Sequence, residues 1–276
     1  MDGLLQPAAA TAFDAVASCV SLIVYLGAAL AVLARRPRAV YARVFLVIAL
    51  TSAVPYATTM LQWWKGSGVY TPAVIALITA AFCVGSAALF HFTQVFPWRR
   101  PWIRAHGRWL VPLYAVPVIP VALAAWTVGD LMRTMQQNAA ASAASLPSDP
   151  AYVSDFAVLV GPAPVVILLA SLPFFLVIGV LLPLAGVLSL VKSWQEAKAG
   201  SNEPARRATF WMLISQLAGG VLAILVLPLL HFAGVPAVLS TMFAGFAYAF
   251  ALVMPIALLA ARVDDAAPSM PYAPPN

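Results

Sequence analysis

Residues 11–34 read TAFDAVASCVSLIVYLGAALAVLA, and Arg35-Arg36-Pro37-Arg38 follow directly. At about 1.5 Å per residue the apolar run is long enough to cross a hydrocarbon core about 30 Å thick. Its charge is confined to Asp14, near the start, while its far end meets arginines at once. A long apolar run closed by a basic cluster reads as a membrane-spanning helix whose basic flank stays in the cytoplasm.

The same grammar recurs along the chain. Seven stretches are long and apolar enough to span: Thr11 to Ala34, Val44 to Gln62, Pro72 to Phe96, Trp109 to Val128, Pro164 to Val191, Ala208 to Phe232 and Val235 to Ala261. In numbers, the expected helices are 11–34, 44–62, 72–96, 109–128, 164–191, 208–232 and 235–261, with one membrane domain over 1–262 and a proline-rich tail over 263–276. The fifth contains Pro173 and Pro183 and is expected to kink, as are the last two at Pro228 and Pro255. The expected fold is an all-α integral membrane bundle of seven helices.

Composition agrees. Of 276 residues, 63% are hydrophobic and 9% charged, against about 25% charged in soluble domains. The formal net charge of +6 could suggest nucleic acid, but the bases sit in short clusters between apolar runs and act as topology signals. Thirteen of them fall in alternate connections and the tail: Arg35, Arg36, Arg38 and Arg43; Arg99, Arg100, Arg104 and Arg108; Lys192, Lys198, Arg206 and Arg207; and Arg262. The other connections hold Lys65 and Arg133, so the N-terminus is expected outside and the C-terminus in the cytoplasm. The start, Met1-Asp2-Gly3, lacks a basic n-region, and the first span is expected to be retained. The bilayer is thus the first partner, and nucleic acid is excluded.

Catalytic and cofactor motifs are missing. No P-loop, GxGxxG, HExxH or GxSxG is present, and the two cysteines, Cys19 and Cys83, lie inside apolar runs without metal-ligand spacing. No Asp, Glu, Lys or Arg sits deep in a span, which argues against a carboxylate-coupled pump. Retinal is excluded, because Lys65, Lys192 and Lys198 all lie outside the spans. His91 and His231 fall near opposite faces of the membrane and cannot share a haem or metal. The expectation is a chain without enzymatic activity, metal or cofactor. Trp63 and Trp64 belong to an interfacial aromatic belt, and with Tyr152 and His231 they outline an outer pocket under the loop 129–163.

The third span ends His91-Phe92-Thr93-Gln94-Val95-Phe96-Pro97-Trp98-Arg99-Arg100. A Phe-Pro pair followed by arginines is a sharp helix stop at the interface, and a histidine one and a half turns earlier can bond a neighbouring helix. This segment resembles the "His-Phe, then Phe-Pro, then basic residues" signature of the seven-helix sensory modules that precede bacterial histidine kinases. Glu203-Pro204-Ala205-Arg206-Arg207 before the sixth span and Pro255-Ile256-Ala257 before Arg262-Val263-Asp264 add to the likeness. The resemblance implies a sensor-like or receptor-like module of the bacterial cytoplasmic membrane, with His91, Phe92, Phe96 and Pro97 as its motif. In that family the last helix continues into a kinase; here the chain reads to Asn276, implying a separate output protein. Such a partner, a membrane or cytoplasmic subunit, is expected to contact Arg99, Arg100, Arg104 and Tyr272. The alternative is an accessory subunit of a larger respiratory or photosynthetic complex; a facilitator for an uncharged solute is a third reading, without a visible inverted repeat.

Overall fold

A computed structural model of the chain describes residues 12–65, 72–116, 118–127, 129–131, 167, 169–170, 172–174, 176–219 and 252–260. Among these, every element is helical: α1 (Ala12–Arg35), α2 (Val40–Lys65), α3 (Pro72–Val95), α4 (Pro101–His106) and α5 (Leu110–Ala115), with helix continuing at 118–127 and 129–131. Beyond these come α6 (Leu182–Ala199), α7 (Glu203–Ile214) and a helix over 252–260, here α8. Wide π-helical turns precede α6 (Val177–Leu181) and follow α7 (Ser215–Gly219). Among the described residues, five segments are long and apolar enough to cross a membrane: Ala12–Arg35, Val40–Lys65, Ala76–Val95, Leu110–Leu131 and Leu172–Ala199.

These five correspond to the first five expected spans, and their ends differ in a regular way. The second helix begins at Val40 rather than Val44 and ends at Lys65 rather than Gln62. The fifth runs on past Val191 to Ala199, and the sixth starts at Glu203 rather than Ala208. Hydropathy marks where a helix enters an apolar medium, not where its hydrogen bonds stop. Lys192, Gln195, Glu196 and Lys198 are sound helix formers, so α6 continues until Gly200 and Ser201, the latter at φ 52, turn the chain. Asn202 then caps α7, its Oδ1 accepting from the Ala205 amide at 3.1 Å. The helix over 252–260 falls within the seventh expected span; the rest of that span, most of the sixth, the loop from 132 to 163 and the tail lie outside the described residues.

Helix packing uses small residues at the seams and aromatics at one end. Ala29, Ala42, Ala49, Ala87 and Ala88 have no exposed surface, which lets α1, α2 and α3 approach closely. A Cβ placed on Gly85 of α3 would lie 3.0 Å from Thr51 Oγ1 of α2. The pairs Thr51 with Gly85, Phe45 with Phe92 and Tyr41 with Phe96 show that α2 and α3 run antiparallel. By contrast, α6 runs parallel to α3. A Cβ on Gly179 would meet the Phe82 ring at 3.6 Å, and one on Gly186 would meet Thr93 at 3.6 Å. The chain between them must therefore return once, which the helical stretch from Leu110 does.

The helix exteriors are apolar. Val16 is 64% exposed, Ile23 65% and Leu188 62%, each pointing away from the cluster formed by Tyr25, Phe45, Phe92, Phe96, Leu190, Met212 and Met254. Exposed apolar surface on this scale is foreign to water-soluble monomers.

Candidate functional site

The signature segment His91 to Arg100 builds a dense knot at the basic end of the helices. Phe92 and Phe96 stack at 5.2 Å with an interplanar angle of 12°, as the spacing of one helical turn allows. Tyr41 meets Phe96 edge-on at 5.6 Å, and Phe45 sits 6.2 Å from Phe92. Both phenylalanines are buried, as is Pro97, so the motif's apolar members form the floor of the core at this end.

The polar members face α6 and the next span. His91 Nδ1 lies 3.0 Å from the hydroxyl of Tyr114 in α5, tying the third span to the fourth. After Val95 the helix stops, and the Arg100 amide returns to the Gln94 carbonyl at 3.0 Å, closing a compact loop before Pro101 starts α4. Trp102 Nε1 donates to Gln94 Oε1 at 3.2 Å, bracing that loop.

This loop carries Arg100 inward. The residue is 8% exposed, and both terminal nitrogens of its guanidinium are engaged. Nη1 donates to both Glu196 oxygens at 2.7 Å, and Nη2 donates to Ser193 Oγ at 2.8 Å and to the Ser189 carbonyl at 3.2 Å. Trp98 Nε1 adds a bond to Glu196 Oε2 at 3.2 Å, and Ser189 Oγ donates to the Thr93 carbonyl at 3.1 Å. A buried cation is tolerable where its charge and donors are met in this way. Glu196 itself is half-buried, its side chain 36% exposed, so water reaches one edge of the pair.

The remaining bases spread around this clasp. Arg99 is exposed and donates to the Ile103 carbonyl at 3.4 Å; Arg104 lies in α4. Arg35, at the end of α1, donates to the Leu259 carbonyl of α8 at 3.2 Å. In α7, Glu203 pairs with Arg207 at 2.6 Å and Arg206 at 2.7 Å, and the Arg207 hydrogen bond foremost holds its carboxyl below the ordinary value. Lys198 lies over the Trp194 ring at 5.7 Å.

The expected partner-contact set therefore divides. Arg99 faces outward, Arg100 is spent inside the clasp, and Tyr272 lies outside the described residues. Of the expected outer pocket, Trp63 and Trp64 are exposed at the far end of α2, 54% and 76% respectively, while Tyr152 and His231 lie outside the described residues. Sequence reasoning missed Glu196, Ser189, Ser193 and Tyr114. One signal was available: Glu196 and Glu203 are the carboxylates among the bases from Lys192 to Arg207, and an acid held in such a run marks a fixed pair.

Among the described residues no group of three or more His, Cys, Asp or Glu is gathered as a metal site would need. The chemistry this arrangement offers is positional: it fixes one helix end against another through a partly desolvated ion pair. No protein family, no curated protein sequence and no solved structure matches the chain.

Proposed function

We propose that this chain is a multi-pass protein of the bacterial cytoplasmic membrane, with seven helices, its N-terminus outside and its basic end in the cytoplasm. It acts as a sensor-like module, without catalysis of its own, that signals through a separate protein. The observation that supports this reading best is the convergence of the signature on one structural joint. His91 reaches Tyr114, Phe92 and Phe96 floor the core, and the loop after Pro97 delivers Arg100 to Glu196. Three spans thus meet at the basic end, where a change in helix position would be passed to whatever docks there. Exposed Arg99 and Lys198 beside that joint supply positive charge for an acidic partner surface.

The test is photo-crosslinking in native membranes from probes at Arg99 and at Trp64. A cytoplasmic protein captured from Arg99, and not from Trp64, with a yield that changes with growth conditions supports the reading. Constant, stoichiometric capture of membrane subunits from both positions would instead favour the accessory-subunit reading. Capture from neither position, at normal expression, would overturn both.

A further inference from the structure

Helix α6 is entered through the π-turn Val177–Leu181, and α7 leaves through a second, Ser215–Gly219. At the first, the Leu182 amide donates to the Val177 carbonyl, five residues back rather than four. Such wide turns interrupt the regular four-residue ladder, and they are frequent at functional sites. The hairpin between them is, by contrast, firmly closed at its tip. The Gly200 amide donates to the Glu196 carbonyl at 2.9 Å and the Asn202 amide to the Ala197 carbonyl at 3.0 Å. The irregular backbone of this unit thus lies at its two roots, and its tip is closed by regular turn bonds.

Its attachment to α3 is graded along its length. Near the root, Gly179 faces the Phe82 ring; midway, Gly186 faces Thr93 and the backbone of Phe90. Glycine at these places presents no Cβ, and beside Gly179 the buried Ile178 adds only apolar contact. The directional bonds come at the tip end: Ser189 to the Thr93 carbonyl, then Ser193 and Glu196 to Arg100, and Trp98 to Glu196. Apolar contact near the roots and directional bonds near the tip is the arrangement of a latch.

We propose that α6 and α7 form a hinged hairpin that pivots on its two π-turns and is latched to the end of α3 by Arg100 and Glu196. Arg100 is buried and Glu196 is open to water at one edge, so the carboxylate is the half of the latch that another molecule can reach. Opening the pair swings the tip, with Lys198, Arg206 and Arg207, away from Arg99. The hinge stands on this geometry alone; its use in passing a signal to a partner rests on the sensor-like reading.

Hydrogen exchange on the full chain in lipid nanodiscs tests it, with Glu196→Gln compared with the unaltered protein. Amides at 177–182 and 215–219 are expected to exchange about tenfold faster, while those of α1 and α2 hold, as for a local opening. In a background carrying Cys19→Ser and Cys83→Ala, spin labels at Ala105→Cys and Ala199→Cys are expected to gain a longer-distance population on the same substitution. Faster exchange confined to 96–103 and 189–200 would overturn the hinge. Faster exchange in every helix would also overturn it, because the pair would then simply hold the fold. No change anywhere would overturn the latch. Should Glu196→Gln not yield folded protein, Ser193→Ala removes one Arg100 bond and is read by the same pattern. If the hinge opens as expected and crosslinking from Arg99 does not respond, the sensor-like reading fails while the hinge stands.

Discussion

Arg100 and Glu196 sit 96 positions apart in the chain and share a bond in which one guanidinium nitrogen serves both carboxylate oxygens at 2.7 Å. With one partner 8% exposed and the other open to water along an edge, the pair is neither a surface bridge nor a fully dry one. Removing the carboxylate charge with Glu196→Gln is expected to cost about 1–2 kcal/mol, since charge-assisted bonds are lost but solvent screens part of the effect. Arg100→Met leaves Glu196 without its cation. Each single change strands a partner, so the double variant Arg100→Met/Glu196→Gln should cost less than the sum of the two. Unfolding in detergent measures all three, and strictly additive losses would show that the pair is not a coupled unit.

Close approach between α2 and α3 gives a second expectation. A Cβ on Gly85 would come within 3.0 Å of Thr51 Oγ1, and that hydroxyl is held by the carbonyls of Val47 at 2.9 Å and Ile48 at 3.0 Å. Gly85→Ala should destabilise by about 1–3 kcal/mol, the usual cost of overpacking. Thr51→Ala in the same chain should restore much of the loss. An unaltered melting point for Gly85→Ala alone would mean that the helices are not in contact there.

Glu203 provides a pH-dependent element outside the spans. Arg207 and then Arg206 favour its ionised form and hold its carboxyl below the ordinary 4.5. Because the folded value is the depressed one, its contribution to stability is present above the unfolded value and fades as pH falls through the folded one. Carbon-detected NMR of glutamate-labelled protein should show this carboxylate titrating below 4.5, and Arg207→Gln should move the midpoint upward. A midpoint unmoved by that substitution would remove Arg207 as the cause.

Membrane orientation can be read by labelling. In a background lacking Cys19 and Cys83, Ala141→Cys should react with an impermeant thiol reagent from outside. Ala199→Cys, at the exposed end of α6, should react only after the membrane is permeabilised. The reverse pattern would invert the proposed topology, and labelling of both from outside would remove it.

Apolar length was readable directly from residues such as Thr11 to Ala34, because burial in lipid demands an unbroken hydrophobic stretch and little else does. The stop at Phe96-Pro97 was readable for a similar reason, since proline cannot continue a helix and α3 ends at Val95. The π-turns were not. Ser215 and Gly219 bound a wide turn, and no residue type demands an extra residue per turn. Nor was the partner of Arg100 readable, because the parallel run of α3 and α6 is a tertiary fact. Arg100 read as a surface charge for that reason, and only the depth of its loop makes it internal.

The same parallel run bears on how the molecule is made. Arg100 leaves the ribosome 96 residues before Glu196, and in the proposed membrane topology a full helical pass is threaded through the bilayer in between. At about 5–20 residues per second, that leaves the guanidinium without its carboxylate for about 5–20 s during synthesis. For that interval the nascent chain holds an unmatched cation at its newly inserted edge, where lipid phosphates or the insertion machinery are its available counterions. Closing the pair is then an exchange of borrowed anions for the chain's own.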